Sequence, residues 1–211
     1  MKRKPRTVAF WCGRLPHWEV EDGRYFVTIH LAGAIPNVGR DRIRALADQL
    51  TKLTNRDEAW LQTQRQIFKE MEDWLDRAEH VTHLRRPEIA SMLRESIQHR
   101  EERGDWHMFR HVIMPTHVHL FFELTGARLK AALEDFKRWT GHQAAKVMNH
   151  GGDRFWQREW FDHWSRSDEE DEKILRYIRD NPVKAGLVTQ IWRLAVWVLV
   201  GPFCRTGAGG A

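Results

Sequence analysis

Between His117 and Leu124 the chain reads HVHLFFEL, and this pattern fixes a strand whose two faces differ. Side chains alternate across a strand, so Val118, Leu120, Phe122 and Leu124 form one apolar face. His117, His119, Phe121 and Glu123 form the other. Only Pro115-Thr116 separates this run from Trp106–Met114 (WHMFRHVIM), a second strand-like stretch, and so short a connection implies an antiparallel hairpin. A third strand is read at Arg24–Leu31, RYFVTIHL, bounded by Gly23 and Gly33.

The remaining periodicity is helical. Residues 39–80 carry apolar side chains at helical spacing, among them Ile43, Leu46 and Leu50, then Ile67, Phe68, Met71, Trp74 and Leu75. Pro87 opens a helix that runs to about Arg100, and residues 127–149 form another. Asp168–Asp180 begins with acids and is expected to stop before Asn181-Pro182. Phe155–Ser165, FWQREWFDHWS, is aromatic and ambiguous. The order implies an α+β fold, an antiparallel sheet with helices on one face. Residues 1–18 read as a basic arm, 19–190 as one domain and 191–211 as a divergent tail.

A chain of 211 residues with 42% hydrophobic and 30% charged residues can bury a core and is not a disordered polymer. The formal net charge is +5, but residues 19–180 sum to −3 (26 basic against 29 acidic). The positive charge therefore belongs to the ends: Lys2, Arg3, Lys4, Arg6 and Arg14 at one, Lys184, Arg193 and Arg205 at the other. Nucleic acid is the partner class this suggests. Cys12 and Cys204 form neither a disulfide framework nor a metal motif. Leu194–Val200, the longest apolar run, is far short of the ~20 residues a membrane span needs. A cytoplasmic, nucleoid-associated protein without a membrane partner is expected.

His117 and His119 can converge on one metal ion or one phosphate, and imidazole softness leaves Zn, Fe or Ni open. Tyrosine is scarce: two, Tyr25 and Tyr177, beside eleven Trp and ten Phe. Tyr177 and Asn181 are four residues apart, on one helical face, with Lys173, Arg176 and Arg179 nearby as candidate phosphate contacts.

Several segments carry a family resemblance. MPTHVHL (Met114–Leu120) resembles the His-hydrophobic-His signature of HUH endonucleases in the MPNHVH setting of single-tyrosine transposases, and RYIRDNPVKAGLV (Arg176–Val188) resembles their C-terminal segment. RLPHWE (Arg14–Glu19), RYFVTIHLAGAIP (Arg24–Pro36), WLDRAEHVTHLRRPEIA (Trp74–Ala90) and FWQREWFDH (Phe155–His163) are similar to the REP-associated tyrosine transposase branch, in the same order.

The resemblance implies a ferredoxin-like HUH fold in which His117, His119 and Asn181 hold Mg²⁺ or Mn²⁺ and Tyr177 attacks a DNA phosphate. It implies cleavage and rejoining of single-stranded DNA beside hairpin sequences through a 5′-phosphotyrosine, by a monomer or homodimer. Lys2, Arg3, Lys4, Arg6, Lys173, Arg176 and Arg179 are the expected DNA contacts. Thr116 replaces the usual Asn before the first histidine, Phe161 stands where Tyr is frequent, and the sequence after Val188 departs from the family pattern. That departure leaves a hairpin-binding protein without strand transfer as the alternative. A histidine-triad hydrolase would need His at position 121, where Phe121 stands.

Overall fold

The computed structural model describes residues 3–53, 58–125, 127–149 and 154–187. The elements run β1 (Thr7–Cys12), β2 (Pro16–Val20), β3 (Arg24–His30), α1 (Asn37–Lys52), α2 (Glu58–Asp76), α3 (Pro87–Glu102), β4 (Trp106–Ile113), β5 (His117–Leu124), α4 (Leu129–Met148), β6 (Phe161–Trp164) and α5 (Asp168–Lys184). A short 3₁₀ turn, His83–Arg85, precedes α3.

Four strands form an antiparallel sheet in the order β4-β5-β3-β6. β5 lies inside it, pairing His117 with His30 and His119 with Thr28 on one side, and His119 with Val112 on the other. The α+β class and the antiparallel sheet read from the sequence are both present. The expectation of helices on one face is corrected. The Val118–Leu124 face packs under α3 and α4, where Trp106 meets the Phe136 ring and donates to the Ile97 carbonyl. The histidine face is covered too, by α2 and α5, because Phe26 beside the histidines gives Phe68 and Tyr177 apolar ground to pack on.

Residues 7–20, read as arm and loop, form a two-stranded antiparallel hairpin whose second strand crosses the expected boundary at residue 18. The hairpin is tied to the main sheet by His17, whose ring is buried between Asp162 and Glu159 and packs against Trp160. Thus RLPHWE and FWQREWFDH, far apart in sequence, meet in one contact. The ambiguous segment resolves as β6, with Trp156 bridging to Leu31.

Tyr25 is a fully buried core residue: its hydroxyl donates to the Val20 carbonyl and accepts from the Val20 amide at 2.7 Å. Gly23 makes room for that ring, since a Cβ there would lie 2.5 Å from it.

α5 starts on Ser167, whose hydroxyl accepts from the Glu170 amide, and four acids in the first turn complement the helix dipole. It does not stop at Asp180. The helix runs through Pro182 to Lys184, correcting the expected end. The bias of a residue before proline against helix is outweighed here by burial of Ile178, Asn181 and Pro182. The extra turn keeps Asn181 in register with Tyr177. The tail 191–211 lies outside the described residues.

Candidate metal and tyrosine centre

β5 presents His117 and His119 side by side, their Nε2 atoms 3.1 Å apart and both rings buried. Their Nδ1 atoms face threonines. Thr116 donates its hydroxyl to the Leu75 carbonyl at 3.2 Å, so the same oxygen accepts from Nδ1–H of His117 at 2.8 Å. Thr28 lies 2.8 Å from Nδ1 of His119 in the matching position. With its Nδ1–H committed, His117 turns the lone pair of Nε2 inward. Burial first, and the neighbouring His119 second, push His117 down to about 3, so its ring is neutral.

Glu72 of α2 completes the cluster. Its Oε2 lies 3.3 Å from Nε2 of His119 and accepts the Tyr177 hydroxyl. Ligand atoms of Glu72, His117 and His119 fall within 4.8 Å of one another. Burial alone would raise the Glu72 carboxyl; His119, then His117 and the Tyr177 hydroxyl, hold it at about 2. Three buried ligand atoms thus converge on one point, where a positive charge would be held by all of them. Glu72 Oε1 and Asn181 Oδ1 are buried without a hydrogen-bond partner among the described residues. Two imidazoles and a carboxylate fit a divalent cation, and this donor set does not choose between metals.

Asn181 reaches the cluster, but through its nitrogen. Nδ2 donates to the Tyr177 oxygen at 2.9 Å and lies 3.4 Å from Nε2 of His119. Serving as a ligand would require turning the amide so that Oδ1 takes that place. Tyr177 is protonated here: burial, then the adjacent Glu72 carboxylate, push its phenol well above the ordinary range. Lys184 lies over its ring at 5.3 Å.

Glu72 was not among the residues singled out from sequence, although a signal exists. It is an acid inside the stripe Phe68, Met71 and Leu75, where a charge is buried only with partners. The expected DNA contacts are dispersed. Arg3 pairs with Asp168 and Asp171, Arg6 with Glu21, and Arg179 with its neighbour Asp180. Lys4 and Arg176 are exposed, Lys173 lines a cleft beside Tyr177, and Lys2 lies outside the described residues. No helix among the described residues is long and apolar enough to cross a membrane.

Sheet, paired histidines and helix-borne tyrosine define the class: an α+β protein built around a His-x-His strand that faces a tyrosine. Residues 78–181 match the family model described as IS200-like transposase, a stretch that contains His117, His119, Tyr177 and Asn181. The match spans just under half of the chain, from residue 78 to residue 181, and over that stretch the chain is similar to this family. A solved structure of a REP-associated tyrosine transposase bound to a REP hairpin is similar at a TM-score of 0.48 and 20% identity, covering 83% of this chain and 75% of that one. No curated protein matches the chain.

Proposed function

We propose that this chain cleaves and rejoins single-stranded DNA beside hairpins, with Tyr177 as the nucleophile and a divalent cation, Mg²⁺ or Mn²⁺, held by His117, His119 and Glu72. The observation that carries the reading is the hydrogen bond from the Tyr177 hydroxyl to Glu72, a carboxylate that also touches His119. When bound, the cation would polarise a non-bridging phosphate oxygen and offset the charge that builds in displacement. Glu72 accepts the phenol hydrogen bond and passes the proton on to water, and Asn181 donates to the phenol oxygen from the next turn of the same helix face. The Tyr177 oxygen forms a bond to phosphorus as the bond to the 3′ oxygen breaks, and that oxygen takes a proton from water. A 5′-phosphotyrosine and a free 3′-OH result. A second 3′-OH reverses the step and joins strands without hydrolysis.

The test is a labelled hairpin with unpaired flanks, incubated with Mn²⁺ and run on a denaturing gel. A covalent adduct is expected, lost in Tyr177→Phe and with chelator. An adduct that persists in Tyr177→Phe contradicts the assignment; hairpin binding with no adduct at all favours a DNA-binding protein without strand transfer.

A further inference from the structure

A cleft of about 730 Å³ opens between α2, β6 and α5, and Tyr177 lines it. Its floor is aromatic: the Phe68 ring lies 5.0 Å from that of Phe161 and 5.4 Å from that of Tyr177, with Leu61 beside them. Its rim is cationic, with Arg65, Arg166 and Lys173. Two acids, Glu169 and Glu170, also line it, but Glu170 is engaged by His163 at 2.8 Å and by the Arg166 amide at 2.6 Å. Among the described residues Arg65 is held by an exposed pair with Glu58, a contact readily exchanged for a phosphate. The metal and tyrosine centre uses none of these side chains except Tyr177.

We propose that this cleft holds the unpaired nucleotide next to the scissile phosphate, its base on the Phe68–Phe161 floor and its backbone against Lys173 and Arg65. The inference rests on the reading of Tyr177 as the nucleophile, since that places the reacting phosphate at the end of the cleft. Aromatic floor and cationic rim are the two elements that bind single strands without reading sequence. The volume falls within the roughly 300–1,000 Å³ of small-ligand clefts, which suits about one or two nucleotides and excludes a helical stem. A base must be unstacked to reach the floor, so the cleft selects single-stranded flank over duplex.

Full-length protein carrying Tyr177→Phe, which keeps the ring and removes the nucleophile, is titrated with a labelled twelve-nucleotide oligo(dT) and with an abasic oligomer of equal length. Oligo(dT) is expected to bind roughly tenfold more tightly, and Leu61→Glu to remove that difference. Lys173→Glu is expected to weaken both oligomers and to lower the salt slope by about one. Thermal melts confirm that each variant is folded. Equal affinity for oligo(dT) in folded Leu61→Glu and its parent overturns the proposal. So does equal affinity of the parent for the two oligomers. An adduct at Tyr177 with cleft variants that bind normally defeats the cleft alone; cleft-dependent binding without any adduct keeps the cleft and defeats the nucleophile.

Discussion

Each residue of the centre is held by a partner that decides its chemical form. Thr116 accepts Nδ1–H of His117 and so keeps Nε2 available. Replacing it by Val preserves shape and removes the acceptor. Thr116→Val is therefore expected to lower Mn²⁺ affinity 10–100-fold, measured by calorimetry, with the fold intact; unchanged affinity would show that the threonine does not orient the ring. The two tyrosines separate by the same logic. Tyr25 hydrogen-bonds the backbone of Val20 in the core, whereas Tyr177 bonds Glu72 and Asn181 at the edge of a cleft. Tyr25→Phe is expected to lower the melting temperature by a few degrees and retain adduct formation. Retained stability together with lost adduct would reverse the two roles.

At the scale of elements, the β1–β2 hairpin depends on His17, which Asp162 and Glu159 flank. Burial opposes its charge, but the two carboxylates prevail and raise it from 6.5 to about 9. A folded value above the unfolded one means the stabilisation is complete below about 6.5 and is lost as pH rises through about 9. Lys137, pushed down to about 8 by burial, works in the opposite sense, so the comparison must be with a His17 variant. The melting-temperature advantage of the parent over His17→Gln is expected to shrink by roughly 4 °C or more between pH 6.5 and 9.5. A constant difference would show that His17 contributes through packing alone. This hairpin was hidden in the sequence because its pairing depends on Asp162 and Glu159, more than 140 residues away. By contrast, β5 was legible in full, since alternation is a local property and its apolar face is complete. His117, His119, Tyr177 and Asn181 were legible for the same reason: each pair sits at a spacing that one strand or one helix turn sets. Glu72 and the reach of α5 past Pro182 were not, because both depend on packing of α2 and α5 over the histidine face.

Over the whole molecule, the sheet brings one strand, β5, into contact with two helices that are distant in sequence, and the centre exists only where all three meet. Binding of a cation there couples to folding, because the three ligands are together only in the native state. Mn²⁺ at about 100 times its dissociation constant is expected to stabilise the protein by about 2.7 kcal/mol, roughly 5–10 °C in melting temperature. The shift should vanish in His119→Ala and fall in Glu72→Gln; an equal shift in all three proteins would place the ion elsewhere. The Tyr177 assignment is tested most directly by digesting the DNA adduct formed in Mn²⁺ and locating the nucleotide-bearing residue by tandem mass spectrometry. The expected result is a single modified residue, Tyr177, joined to a 5′-phosphate; attachment at Tyr25, at any other side chain, or through a 3′-phosphate would contradict it.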